Sequence, residues 1–388
     1  MVPVRRPDVV IVGAGLFGLV AADRLTALLP GAWVMVLEST DRLGGLCAST
    51  TCPHTGVTYN PYGTHTLATS NPRVWRYVAG RTRMISHQRR TYADVGGELV
   101  PLPLGLEAIR LCYGDASLTS EKARVLVERD AAPHHTGRAP ASAEEAALAA
   151  VGPRLYEMFV RGHITKQWGT SPDRLAPGVF SDRFGIRFTP TAGHRTAARW
   201  QGIPAGGWGD FFGRLVDNRD ITVLRRHAAS VRDLPPYTHA CIVTTSIDAW
   251  FDHDLGTLAR GRICVDWRLT DRHTAPATAT TTYPGPDVPY YRTHTPEHLP
   301  GQPANPTEKV LVGYEHHGDG PNAIDFVLRT PDNAALADAY RTHGRNADGF
   351  VFAGRGTTFH DDMGTTIAAA LALAAGLAKT IERSPAWP

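Results

Sequence analysis

Residues 8–25, "DVVIVGAGLFGLVAADRL", decide the fold. The β-branched run at 9–12 reads as a buried parallel strand. Gly13, Gly15 and Gly18 follow in G-x-G-x-x-G spacing. The first glycine permits a tight turn, the second lets backbone approach a diphosphate, and the third lets a helix pack closely on the strand. Residues 19–29 then read as a helix, and "WVMVLE" at 33–38 as a second strand ending on Glu38. An acid about twenty residues past the last glycine suits a ribose hydroxyl, and the helix N-terminus supplies the field for a diphosphate. The glycines alone are a weak signal. With strand, helix and acid in register they specify a β-α-β dinucleotide-binding unit.

Outward from that unit, "DRLGG" at 41–45 adds a glycine pair ending on Gly45 soon after the acid, a pattern that favours FAD over NAD. A chain of 388 residues exceeds one simple core, so two or three domains are expected. Hydrophobic residues at 43% and charged residues at 20% are ordinary for a soluble globular protein. A net charge of +3 argues against a dedicated nucleic-acid binder. Arg5 and Arg6 before an apolar run imitate an export signal, but the strand-turn-helix pattern accounts for the same letters. "IAAALALAAGLA" at 367–378 reads as too short to span a bilayer. Five scattered cysteines fit reduced thiols, and a cytoplasmic protein is expected. Cys47, Cys52 and His54 lack the second pair that a zinc site would need.

Residues 103–165 are mostly helical in pattern, with a helix start at Ser142 followed by acids. From 183 to 330 short β-like runs dominate ("GIRFTP", "ITVLRR", "ACIVTT", "RICVDWRL", "ATTTYP", "KVLVGYEHH"), which suggests a mainly antiparallel sheet. "GFVFAGRG" at 349–356 returns to strand, turn and helix. The expected class is α/β: a Rossmann-like domain of the FAD/NAD type with an inserted helical domain and an antiparallel β-sheet domain. The dinucleotide domain would take residues 1–75, about 205–248 and 330–388. The helical domain would take about 103–170, and the sheet domain about 76–102, 171–204 and 249–329.

The blocks "YGTHT" (62–66), "GHITKQWGTS" (162–171), "IRFTP" (186–190), "RWQGIPAGGW" (199–208), "DVPYYR" (287–292) and "FAGR…DDMG" (352–364) follow the fingerprint in order. Together they resemble the UDP-galactopyranose mutases over nearly the whole chain; "KQWG" and "QGIP" are rather specific to that family. The resemblance implies interconversion of pyranose and furanose forms of a nucleotide sugar, with reduced FAD as nucleophile at the anomeric carbon. It implies that Arg187 and Arg292 hold the departing diphosphate, each forking onto phosphate oxygens in a bidentate way that lysine cannot copy. It sets His65 beside the flavin, Trp168 along the substrate cleft and Phe159 under the nucleotide base. Arg355 would approach the cofactor pyrophosphate, and Met363 would open the last helix towards the flavin carbonyl edge. A homodimer is a family-level expectation, and no membrane or nucleic-acid partner is expected.

The departures bear on substrate and mechanism. His163 stands where the family stacks a tyrosine on uracil, so a GDP-sugar is as admissible as a UDP-sugar, since stacking tolerates any base. Trp200 replaces a second tyrosine near "QGIP", and Tyr314 is the candidate to keep one clasping hydroxyl. Where relatives place tyrosines before the Asp-Met pair, this chain has Phe359, His360 and Asp361, followed by Asp362. A carboxylate beside a diphosphate repels it, by about 4 kcal/mol per unit pair at an effective dielectric of 20. A Mg²⁺ or Mn²⁺ ion held by His360 and Asp361, in addition to FAD or instead of it, would reverse that sign. The plainer alternative is a solvated acidic helix start. Two functions outside the mutases also remain open: a flavin-dependent oxidoreductase of the amine-oxidase type, and a non-catalytic nucleotide-sugar binder.

Overall fold

The computed structural model describes residues 5–181, 184–190, 197–320, 323–345, 349–358 and 362–384. The fingerprint forms Val9–Val12, the helix Leu16–Leu28 and Val34–Glu38. These strands join a five-stranded, all-parallel sheet in the order 221–225, 34–38, 9–12, 240–243, 350–352. The runs "ITVLRR" and "ACIVTT" therefore belong to the parallel sheet and not to the antiparallel one. Ala240–Val243 is buried at every position, the mark of a strand covered on both faces, where an antiparallel strand with one wet face would alternate.

The glycines do what their spacing requires. Gly13 has φ +105°, and a Cβ on Gly18 would lie 2.1 Å from the Gly13 carbonyl oxygen. Helices Leu16–Leu28, Gly207–Val216 and Met363–Glu382 cover one face of the sheet in a shared apolar core. The last helix has 20 residues, longer than its apolar core alone suggested, and is long and apolar enough by length and composition to cross a membrane. Ile367, Ala370, Ala374, Ala378 and Ile381, at helical spacing, are buried, and the helix packs on Leu16–Leu28.

A second core binds the helices Leu106–Tyr113, Ser120–Ala131, Ala143–Leu155 and Gly162–Trp168. Ser142 caps the third of these, accepting from the Glu145 backbone N–H at 3.2 Å. A π-helical turn, Tyr156–Arg161, leads into Gly162–Trp168. "IRFTP" does not form a strand: only Ile186 makes a bridge, to Leu104, while Phe184, Ile186 and Phe188 pack against the helical core.

The seven-stranded sheet runs 324–327, 260–271, 309–317, 292–294, 280–282, 91–95, 98–102. It is antiparallel except where Thr280–Thr282 meets Thr91–Val95. Arg292 lies opposite Glu315 and His294 opposite Gly313, so these residues share one face with Trp267. That face looks towards the dinucleotide unit, because the Trp267 indole N–H donates to Pro61 O at 2.9 Å. The "KQWG" helix joins the same face, with the Trp168 ring edge-on to Phe326 at 5.0 Å. Three units thus converge on one sheet face.

Gly18→Ala forces a Cβ onto a backbone oxygen and is expected to cost about 1–3 kcal/mol. Gly376→Ala, at an open helical position with no atom within 4 Å of the new Cβ, should instead stabilise by about 0.4–1 kcal/mol. Thermal unfolding of the two variants should move Tm in opposite directions.

Candidate active site

The adenosine end of the dinucleotide cradle is built by short contacts around Glu38. Its Oε2 accepts from the Ala14 backbone N–H at 2.8 Å, fixing the glycine loop. Its Oε1 accepts from Thr40 twice, from N–H at 2.8 Å and from Oγ1 at 2.9 Å. A carboxylate offers about four lone-pair sites, so Oε2 keeps one for a ribose hydroxyl. A Cβ on Gly15 would meet nothing within 4 Å, leaving its backbone open to a diphosphate at the helix N-terminus. Gly45 has φ +55° and packs on that loop: its Cβ would lie 3.2 Å from Gly15 Cα. Arg355 begins the short helix Arg355–Thr358 and is exposed.

His65 is locked from three sides. Its backbone N–H donates to Asn60 Oδ1 at 3.3 Å, and its carbonyl accepts from the Trp208 indole at 3.0 Å. Its Nδ1 lies 2.7 Å from Gly63 O, so Nδ1 carries the proton and Nε2 presents a lone pair. Burial pushes this imidazole down to about 4, and the Arg89 and Arg355 charges push the same way. His65 is therefore neutral near pH 7.

The arginine-bearing face holds a buried network that sequence reasoning missed. Glu315 Oε2 accepts from Arg292 Nη1 at 3.1 Å and from His294 Nε2 at 2.9 Å. All three side chains are buried, with 6% exposure for Glu315 and 11% for Arg292. The Thr64 backbone N–H donates to His294 Nδ1 at 3.3 Å. Nδ1 is then an acceptor, which puts the His294 proton on Nε2, facing Glu315. Burial alone would raise the Glu315 carboxyl, but the Arg292 charge and the His294 hydrogen bond outweigh it and hold it well below the usual carboxylate range. Burial keeps His294 below its ordinary value, with Glu315 opposing. The cluster is a neutral imidazole beside a carboxylate–guanidinium pair. Thr64 neighbours His65, so the network reaches the dinucleotide unit. The signal in the sequence was alternation: Arg292 and His294 share one face of a β-like run, as do Gly313 and Glu315.

Arg292 Nε and Trp168 Nε1 are buried and make no hydrogen bond among the described residues. Two buried donors on the convergent face suit a ligand rich in acceptor oxygens. His163 is buried edge-on between Phe184 and Tyr291, at 5.5 and 5.3 Å, one residue from Arg292. Lys166 of "KQWG" donates to Tyr283 O at 2.8 Å and Tyr290 O at 3.3 Å, tying the helix to the segment that carries Arg292.

Other expected site residues lie elsewhere. Arg187 is exposed, held through its backbone N–H to Leu104 O at 2.8 Å, with no ion pair among the described residues. Phe159 is in the helical core, only 3% exposed. Trp200 stacks on Trp75 at 6.4 Å, on the separate three-stranded sheet. Tyr314 faces Thr293 and so projects from the opposite side of the sheet to Arg292. Its hydroxyl lies 3.4 Å from Thr270 Oγ1, and strand alternation keeps it from clasping anything that Arg292 holds. Asp362 is the N-cap of Met363–Glu382, with Oδ1 accepting from Thr365 N–H at 2.7 Å. Met363 is buried, and a Cβ on Gly364 would stand 3.1 Å from Ala68 O, so the helix start abuts the strand that follows His65. Phe359, His360 and Asp361, and with them the expected metal ligands, lie outside the described residues.

Two outcomes follow from this geometry. His65 and His294 sit below their unfolded value of 6.5, so the unfolded chain takes up protons first as pH falls. Stability should be full above about pH 6.5 and decline towards pH 4, His65 contributing at most about 3 kcal/mol. Urea unfolding between pH 7.5 and 4.5 measures this; His65→Leu should flatten the slope, and an unchanged slope would contradict the assignment. Glu315→Gln leaves the Arg292 charge buried without its counter-ion and should cost about 3–5 kcal/mol in the same assay at pH 7.5.

Comparison with known proteins identifies the family. Residues 158–360 match the family model for UDP-galactopyranose mutase, and residues 11–80 match that of an NAD(P)-binding Rossmann-like domain. The chain is 28% identical to a probable UDP-galactopyranose mutase from Klebsiella pneumoniae, over 94% of this chain and 93% of the relative. It is 24% identical to a dTDP-fucopyranose mutase from Escherichia coli, over 90% and 93% of the two chains. A reduced UDP-galactopyranose mutase structure superposes with TM-score 0.74 at 15% identity, covering 97% of this chain and 95% of the other. The cyclohexylamine oxidase of Brevibacterium oxydans superposes at 0.63 with 15% identity, covering 98% and 100%. The amine oxidases thus share the fold, while the family model separates the activities. The chain belongs to the UDP-galactopyranose mutase family, a family of isomerases.

Proposed function

We propose that this protein interconverts the pyranose and furanose forms of a nucleoside-diphosphate hexose, with the diphosphate docked on Arg292 and Arg187. The observation that carries the reading is Arg292 itself. Its Nη1 is anchored to Glu315 while its buried Nε is left unpaired among the described residues, on the face shared by Trp168 and the dinucleotide unit. A guanidinium aimed in this way binds a leaving diphosphate without first reorganising, which is how a preorganised site stabilises charge as it develops. Arg187, exposed at the margin of the helical core, would fold onto the outer phosphate oxygens once substrate is present. The Trp168 indole N–H is a donor for a sugar hydroxyl or phosphate oxygen, and His163 with Tyr291 lines the approach to the base.

The residues of the adenosine cradle fit FAD: Gly13, Gly15 and Gly18 for the diphosphate, Glu38 for the ribose and Arg355 for the pyrophosphate. Reduced FAD held there would supply an electron-rich nitrogen nucleophile for the anomeric carbon. His65, neutral and locked, would offer its Nε2 lone pair beside that position. Met363 would direct the positive end of its helix there, which favours an anionic ring. A wall of Trp267, His294 and Trp168 restricts water while the sugar rearranges.

Incubation with UDP-, dTDP- and GDP-hexoses, with reductant, with Mn²⁺ and with neither, followed by chromatography of the ring forms, tests the proposal. Conversion in the reduced arm, unaffected when a chelator is added to it, by protein whose bound chromophore is yellow as purified and bleaches with reductant, is the expected result. Conversion confined to the Mn²⁺ arm without bound flavin would overturn the flavin role and leave the arginine docking intact. No change of ring form in any arm would overturn the mutase reading. Arg292→Lys should lower kcat by about 10²–10³-fold.

A further inference from the structure

We propose that Cys264, Asp266 and His316 form a transition-metal site of the zinc class on the face of the seven-stranded sheet opposite Arg292. Cys264 and His316 are directly paired across strands Arg260–Asp271 and Lys309–His317, and Asp266 is two residues further along, so all three project from one face. Their ligand atoms lie within 4.8 Å of one another. Cys264 Sγ is 3.7 Å from Asp266 Oδ1, and His316 Nε2 is 3.3 Å from Asp266 Oδ2. Zinc bonds of about 2.0 Å to N or O and 2.3 Å to S give tetrahedral edges of about 3.3–3.8 Å. The two separations run to different oxygens of Asp266, so a rotation of that carboxylate brings one oxygen to both edges of a zinc tetrahedron.

The imidazole is also oriented for the task. His316 Nδ1 lies 3.1 Å from His317 O, so Nδ1–H donates to that carbonyl, in the manner of the outer partners of metal-bound histidines. Its Nε2 then faces a carboxylate oxygen, a contact that either a proton on Nε2 or a bound cation satisfies, and the proposed site takes the cation. Arg268 supplies only part of the positive charge there: its Nη2 is 3.4 Å from Asp266 Oδ2, and the side chain is 67% exposed. Arg262, the other nearby cation, is engaged by Asp319 and Asp325. Gly320 closes over the thiol, since a Cβ there would lie 2.4 Å from Cys264 Sγ. An ion would enter from the Asp266 and His316 side, which is partly exposed, and water would complete the tetrahedron. One sulfur, one nitrogen and one oxygen ligand suit Zn²⁺ or Co²⁺ and disfavour Mg²⁺ and Ca²⁺, which take oxygen. On this face the ion would clip the two longest strands together and would not meet the substrate.

Dialysis of the full chain against Zn²⁺ or Co²⁺, with metal content and absorption spectra recorded, tests the site. The expected result is about one metal per chain, and a near-ultraviolet thiolate-to-cobalt band that disappears in Cys264→Ser. His316→Ala should weaken retention at least about tenfold, and Cys52→Ser should change nothing. Because Cys264 is buried, His316→Ala is judged separately, with circular dichroism to confirm folding. No retention by the unmodified chain, or a cobalt band unchanged in both Cys264→Ser and His316→Ala, would overturn the proposal.

Discussion

One buried carboxylate organises the arginine-bearing face. Glu315 is shared between the Arg292 guanidinium and the His294 imidazole, and through Thr64 the same cluster reaches the segment that carries His65. A buried ion pair contributes little net stability, because desolvating both charges offsets their attraction, yet removing one partner is costly. What such a pair secures is geometry. With Nη1 committed to Glu315, the remaining guanidinium edge of Arg292 has a fixed direction, and a flexible side chain becomes a preorganised donor.

The rest of the fold keeps that donor on the sheet face turned towards the dinucleotide unit. The dinucleotide unit supplies Pro61, whose carbonyl accepts from the Trp267 indole, and Thr64, whose backbone N–H donates to His294. The helical unit supplies Lys166, whose ammonium ties the "KQWG" helix to two carbonyls just ahead of Arg292. Each unit thus contributes two hydrogen bonds to the same sheet domain. A shift of any unit would break a buried hydrogen bond, so the cleft is held by several small penalties and not by one large contact.

The β-α-β unit was fully legible because its signal is local: three glycines, a β-branched strand and an acid at fixed offsets. The helix cap at Ser142 and the strand "KVLVGYEHH" were legible for the same reason. "ITVLRR" and "ACIVTT" fell within the expected dinucleotide domain (205–248) yet read as antiparallel by pattern, because a short apolar run carries no record of which strands flank it. "IRFTP" alternates like a strand but packs Ile186 and Phe188 into the helical core instead, a tertiary choice overriding local propensity. Motifs singled out Arg292, Trp168 and His65 as candidates, whereas no motif pointed to Glu315 or His294. Their role depends on cross-strand register, which one strand's sequence does not encode. The same register sets Tyr314 on the face of the sheet opposite Arg292 and Glu315, because neighbouring residues of one strand face opposite sides.

The most direct measurement is a crystal structure of the protein with a nucleoside diphosphate bound. The account predicts Arg292 nitrogen atoms within about 3 Å of phosphate oxygens, with Glu315 still bonded to its Nη1 and Arg187 closing from the other side. A diphosphate bound elsewhere, with Arg292 turned from it, would contradict the account.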